Sequence, residues 1–406
     1  MSVAALAPAA SGDDWPQLWG PTVTAAVEPK DSPRGAALRE LWRRPIGSGF
    51  SGIAVAGERG YTGESDGTTD HAIAFDRRTG KTLWRAALGE TYRGHDGSRD
   101  GPIATPAVSA GRVFMLGPRG LLLALDAASG RELWRKDVSA EASVKAPSYG
   151  FGGSPIVDAE RVVLQVGGAE KSGLVAYEAA SGTLAWSALH AQTKGDSGGY
   201  TMAVPAMLGG ERQLVVVGHD RVFAVRSADG ALAWSHALTE SEEPMRAPLV
   251  LPGDQLLVSR WTGSTLLKLA REGSDWKAAA AWQSARIKGG LSPTVHEGGS
   301  LYGFSGHYLV CLDLATGEPR WREKTRPGSL IRVGQKLVLL GEESGVLRVL
   351  AAGATGYQEL ARASAFNAGA LSATGPSYAD KRLYLRNVEE MVAYALGDEP
   401  VAEVRP

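Results

Sequence analysis

One polarity pattern keeps returning along this chain: a few apolar residues, an acid, a short polar stretch with a glycine, then an alternating stretch that ends on tryptophan. It is plainest in AFDRRTGKTLW at 74–84, ALDAASGRELW at 124–134, AYEAASGTLAW at 176–186 and CLDLATGEPRW at 311–321. Trp42, Trp84, Trp134, Trp186, Trp234, Trp282 and Trp321 follow one another at intervals of roughly 39 to 52 residues, and most of them close this phrase. Each phrase reads as the third strand of a four-stranded unit, a tight turn and the fourth strand. The acid suits an Asx-type turn bond, and Gly80, Gly130, Gly182, Gly230 and Gly317 supply the positive φ such a turn needs. A period near 45 residues built this way is the signature of propeller blades.

A second marker opens the units. A small or β-branched residue precedes proline and apolar alternation at Thr105-Pro106, Ser154-Pro155, Val204-Pro205, Ala247-Pro248 and Ser292-Pro293. Proline lacks an amide hydrogen and belongs on a strand with an unpaired edge, which in a propeller is the innermost strand facing the channel. The two markers keep phase and divide the chain into blades near 50–87, 102–137, 150–188, 200–237, 246–284, 290–323, 328–361 and 371–396. Blade five carries an insertion before Trp282, and blade seven keeps Gly356 but has Leu360 where tryptophan would stand. The eighth segment lacks a fourth strand, and residues 38–45 offer an orphan one. The expected fold is all-β: a single eight-bladed β-propeller of four-stranded antiparallel blades, closed by an N-terminal strand completing the last blade. Residues 1–35 then form an arm, with 1–11 a signal remnant or flexible start and 14–21 docking on the ring surface. The propeller covers 36–396, and 397–406 is a C-terminal tail.

A formal charge of -1, with acids and bases interspersed, gives no electrostatic case for nucleic acid. The seven histidines show no metal-ligand spacing, so no metal site is expected. No apolar stretch reaches the roughly 18 residues of a membrane helix, which predicts a soluble, monomeric protein that does not span a membrane. A periodic repeat places Cys311 where other phrases have alanine, so it reads as a buried small apolar residue.

The phrase at 74–84, together with DWPQLWGP at 14–21, resembles the tryptophan-docking repeats of the PQQ-binding-like β-propeller proteins, which include quinoprotein dehydrogenases and the outer-membrane assembly propeller BamB. The likeness spans about residues 14 to 396. Quinone-using relatives are expected to carry adjacent cysteines, calcium ligands and often a haem-attachment motif. With one cysteine in this chain, no cofactor is expected, pyrroloquinoline quinone (PQQ) with calcium included. BamB-like lipoproteins are expected to carry a lipidated N-terminal cysteine, and no cysteine precedes Cys311. The resemblance and the start of the chain favour a periplasmic or secreted compartment over the cytoplasm.

Ligands of propellers meet the face made by loops joining successive blades. There the loop 92–100 packs Tyr92, Arg93, His95, Asp96, Arg99 and Asp100 into one segment, with His95, Asp96 and Tyr200 as candidate catalytic groups. Tyr149, Lys194, Arg246, Arg260 and Trp261 are expected at the same mouth, the arginines as anion partners and Trp261 as a stacking surface. The expected funnel is mixed in charge with aromatic walls. Two functions fit: a non-catalytic binding or assembly scaffold that meets a protein partner or small molecule at the channel mouth, or an enzyme converting a small polar or aromatic molecule there by acid-base or redox chemistry.

Overall fold

The computed structural model describes residues 14–94, 101–167, 171–191, 200–239, 242, 246–273, 275–288 and 290–397. Its strands form eight sheets, each built on a four-stranded antiparallel blade. Blade one runs Ala54–Ala56, Arg59–Ser65, Thr69–Asp76 and Thr82–Glu90, and the next six repeat the plan. Blade eight takes Ser377–Ala379, Arg382–Arg386 and Glu390–Leu396 from the end of the chain, and Leu38–Pro45 completes it by antiparallel pairing with Glu390–Leu396. Closure leaves no open end of the ring for another chain to extend.

The docking geometry explains the repeat. The Trp84, Trp134, Trp186, Trp282 and Trp321 Nε1 groups donate to carbonyls of Ala127, Ala179, Ser227, Leu314 and Gly353, each in the turn of the following blade. For the first four of these the ring lies against the turn glycine: a Cβ on Gly230 would stand 2.5 Å from the Trp186 ring, and φ there is +73°. Glycine is thus required twice over, by backbone conformation and by contact. Every fourth strand also carries a bulge just before the docking position, as between Glu132 and Trp134 opposite Ala124, which re-aims the tryptophan at its neighbour.

Exceptions occur where the following blade offers no turn glycine at the docking position. Trp234 faces blade five's long hairpin, Ser264–Glu272 with Asp275–Ser284, and its Nε1 turns instead to Gln213 Oε1 of its own blade at 2.8 Å. In blade seven the register places Ala361, not Leu360, at the tryptophan position, opposite Val349. Its neighbour is the seam of blade eight, where two separate chain segments meet and no turn exists to dock against. A five-residue helix, Val138–Ala142, capped by Asp137, follows blade two and was not foreshadowed by the strand pattern.

The arm departs from expectation most. Residues 15–27 do not lie on the ring surface; they run against the inner strands and plug the channel. Trp15 exchanges backbone bonds with Val55 of blade one, the Pro16 carbonyl accepts from Val108 of blade two, and Gln17 Oε1 accepts from Val157 of blade three. Ala26–Val27 then pairs in parallel with Gly328–Val333 of blade seven, adding a fifth strand to that sheet. Trp15, Val23 and Ala25 are buried. The physical reason is the unsatisfied row of amides and carbonyls on each innermost strand, which a segment rich in apolar residues can pair with and cover. The fit needs positive φ at Trp19 (64°), Val23 (57°) and Ala25 (53°), backbone strain of about 1–3 kcal/mol each that the surrounding packing sustains.

Candidate functional site at the channel mouth

With the plug filling one end, the channel becomes a funnel of about 390 Å³ opening among the loops that join successive blades. Leu18 and Trp19 of the plug form its floor. Phe50, Ile103, Met202, Leu291 and Leu371 supply apolar wall, Tyr149 and Tyr200 the aromatic rim, and Thr105, Ser154, Ser329 and Thr374 contribute hydroxyl-bearing positions. Some of those hydroxyls also stitch blades together: Thr105 Oγ1 accepts from Gly52 N, and Ser154 Oγ from Thr105 N, both at 2.9 Å. Three of the five pre-proline residues flagged by the sequence, Thr105, Ser154 and Ala247, thus form part of the funnel wall.

Three predicted residues come together as a chain of tyrosines across consecutive loops. The Tyr92 hydroxyl donates to the Ser148 carbonyl at 2.8 Å, and the Tyr149 amide donates to the Tyr200 hydroxyl oxygen at 2.9 Å. The Tyr149 and Tyr200 rings meet edge-on with centroids 6.2 Å apart. Burial pushes the Tyr92 phenol above its ordinary value, and the Arg119 guanidinium, 5.7 Å from its ring centre, opposes that. The loop is held locally by Gly150, at φ +81°, against Pro118, so the tyrosine rim rests on a pinned support. Arg93 reaches back to the Gly67 carbonyl.

The predicted basic cluster does not gather in this funnel. Arg246 is buried in the channel wall of blade five, donating to the Gly290 carbonyl and Thr294 Oγ1. Arg260 is buried between blades four and five beside Glu242, with Nε 3.5 Å from Oε2. Burial raises the Glu242 carboxyl, but hydrogen bonds from Thr262 and the Trp261 amide and the charge of Arg260 outweigh it and leave the group below its usual value. Trp261 is half exposed on that lip and does not line the funnel. Arg386 is locked between blades eight and one by the carbonyls of Asn387, Gly63, Gly47 and Gly49 and by Thr62 Oγ1. His95, Asp96, Arg99, Asp100 and Lys194 lie outside the described residues.

Glu342 went unforeseen. It lines the funnel and also a second cavity of about 810 Å³ between blades six and seven, with His307, Lys324, Arg326, Glu343 and Arg348. Its carboxylate makes no hydrogen bond or ion pair with the described residues. Burial, and then the neighbouring Glu343, push it above the ordinary carboxylate range. The expected mixture of aromatic and charged walls is therefore split between an apolar funnel and a charged annex. The signal that could have found Glu342 is slight: an acidic pair in the turn after the apolar strand Lys336–Gly341.

The described funnel lining offers one carboxylate and no cation, which does not fit an anionic quinone held with calcium. Among the described residues no group of three His, Cys, Asp or Glu side chains converges as a metal site. Cys311 is buried in blade six, and burial raises its thiol above the ordinary value. No helix among the described residues is long and apolar enough to cross a membrane.

Comparison with known proteins agrees with this architecture. The chain is 33% identical over 156 residues to outer membrane protein assembly factor BamB of Moranella endobia (strain PCIT), a match covering 38% of this chain and 36% of that protein. BamB of Burkholderia pseudomallei (strain K96243) is 29% identical over 108 residues, 26% of this chain and 24% of its own length. The matched segments thus span about a third or less of these relatives. Among solved structures, BamB from Moraxella catarrhalis superposes with a TM-score of 0.63 at 16% identity, covering 89% of this chain and 98% of that one. The quinohemoprotein alcohol dehydrogenase ADHIIG from Pseudomonas putida HK5 gives 0.68 at 14% identity, covering 97% and 82%. At such identities these two share the fold alone. Residues 68–323, more than half of the chain, match the family model described as outer membrane protein assembly factor BamB, and the chain belongs to that family of β-propellers.

Proposed function

We propose that this propeller is a non-catalytic binding and assembly module of the cell envelope, working in the periplasm or outside the cell, that holds a protein partner at its channel mouth. The observation that carries this reading is the mouth itself: an apolar funnel floored by the chain's own Leu18 and Trp19 and rimmed by Tyr149 and Leu291, which stay 42% and 50% exposed. Large apolar side chains around a concavity are what a partner's protruding aromatic or aliphatic anchor would bury. The proposed occupant is therefore a loop or extended segment with an apolar anchor, and the relatives' description as assembly factors for outer membrane proteins supports an envelope protein in that role.

The second reading, an enzyme, draws on Glu342, an unpaired carboxyl raised by burial at the wall of a concave site, where a general acid or base would stand. The quinone route is not proposed, because the donor set and the single cysteine do not suit it.

The test is a binding titration of the full chain against purified outer-membrane assembly proteins. Tyr149→Glu and Leu291→Glu weaken binding at least about tenfold, the loss of one modest apolar anchor, with melting unchanged. A Leu83→Glu control, on a blade's outer strand beside the opposite face, leaves it intact. Full binding by both mouth variants would overturn the proposal.

A further inference from the structure

We propose that Arg246 anchors a buried site for a small monovalent anion of the halide class, set between the wall of blade five and the plug. A guanidinium stays charged at any working pH, and a charge removed from water requires either a counter-charge or a full set of acceptors. The other buried arginines meet that requirement. Arg77 faces Glu58 and Asp380, Arg332 faces Glu28 and Glu297, and Arg386, which has no carboxylate bonded to it, has its fork filled by five oxygen atoms.

Among the described residues Arg246 meets neither condition. It is 4% exposed, forms no ion pair with any of them, and uses Nε and Nη1 on two neutral acceptors, Gly290 O at 3.3 Å and Thr294 Oγ1 at 3.1 Å. Its Nη2 donates to nothing among the described residues. Burial pulls its pKa down to about 10, so at neutral pH it remains a cation with no counter-charge among the described residues.

Beside it lies a cavity of about 10 Å³, lined by Trp19 and Thr24 of the plug and by Ser259, Pro293 and Thr294 of the wall. That is space for a single water-sized particle, too small for a carboxylate-bearing molecule. No acidic side chain lines it, while hydroxyl-bearing residues on both sides can donate to an anion. A halide is slightly larger than water, so the lining must give by a few tenths of an ångström to admit it, but it supplies the missing charge and accepts from the idle guanidinium edge, whereas water supplies only the second of these. Because plug and wall both line the site, the anion fastens the plug against blade five.

The experiment has two arms on the full chain. Thermal unfolding is followed in sodium chloride and in sodium gluconate at matched ionic strength, and crystals grown in sodium bromide are examined for anomalous scattering. Binding to the native state raises the melting midpoint with chloride concentration, by on the order of 1 to 3 °C, and not with gluconate. One bromide peak is expected in contact with the Arg246 guanidinium. Arg246→Met loses the chloride dependence; should it fail to fold, Thr294→Val weakens the dependence, and the wild-type bromide map decides independently. Equal midpoints in the two salts, or an ordered water and no bromide signal at Arg246, overturn the proposal.

Discussion

Trp186 and Gly230 make the sharpest test of why the repeat holds blades together. The Trp186 ring is 8% exposed, its Nε1 donates to Ser227 O at 3.2 Å, and a methyl group on Gly230 would stand 2.5 Å from it. Trp186→Ala should cost about 3 to 5 kcal/mol, the range for large aromatic truncations in a core. Gly230→Ala should cost about 2 to 5 kcal/mol: roughly 1 to 2 for an L-residue at φ +73° and roughly 1 to 3 for overpacking against the indole. In the double variant the indole is gone and the overpacking with it, so only the backbone part of the glycine change remains. The double variant should therefore cost about 1 to 3 kcal/mol less than the two single losses combined. Equilibrium denaturation followed by far-ultraviolet circular dichroism reads this without relying on tryptophan emission, provided the transition stays cooperative across the ring. Single losses that simply add, within about 0.5 kcal/mol, would show that the glycine and the tryptophan do not act as one joint.

Trp134 is only half buried against Ala179, so Trp134→Ala should cost less than Trp186→Ala in the same denaturation assay. Ala361→Trp, although it restores the repeat by register, should not raise the denaturation midpoint, because the seam of blade eight offers no glycine turn. For Glu342, whose folded value is raised, the native state keeps a proton that the unfolded chain has lost, so stability falls as pH climbs from the ordinary glutamate value through the raised one. Glu342→Gln should accordingly melt higher than wild type at pH 7, with the difference vanishing below about pH 4. Protein reconstituted with PQQ and calcium should give no dye-linked alcohol oxidation, and robust turnover would contradict the reading of the funnel.

The ring was legible in the sequence because its signal is written many times. Most docking tryptophans need a glycine across the joint, the inner strands tolerate proline on their free edge, and the orphan strand at Leu38–Pro45 fills the one missing place. Leu360 was misplaced by one residue because the bulge before every docking position is silent in polarity: it skips a residue without changing the pattern. The site was far less legible. Tyr92, Tyr149 and Tyr200 do meet, since long loops between blades must crowd the mouth. Arg246 and Arg260 share loop or turn positions with them yet turn into the wall, because backbone carbonyls and, for Arg260, a neighbouring carboxylate compete for a guanidinium more effectively than open solvent. No periodic cue marks residues 15–27 as a plug; their fit depends on three positive φ angles at residues that rarely adopt them. That segment sets the floor of the funnel, so the depth and polarity of the site could not be read before the fold was known.

The claim that the mouth is the working face is tested most directly by site-specific photocrosslinking in cells. A photoreactive residue is placed at Tyr149 or Leu291 on the rim, and at Leu83 or Leu232 on outer strands beside the opposite face, all exposed in the free propeller. The account predicts one discrete adduct from both rim positions, identified by mass spectrometry as the same envelope protein, and none from Leu83 or Leu232. Adducts from Leu83 and Leu232 with none from the rim would contradict it, placing the partner on the outer strands or the opposite face and leaving the funnel to some other use.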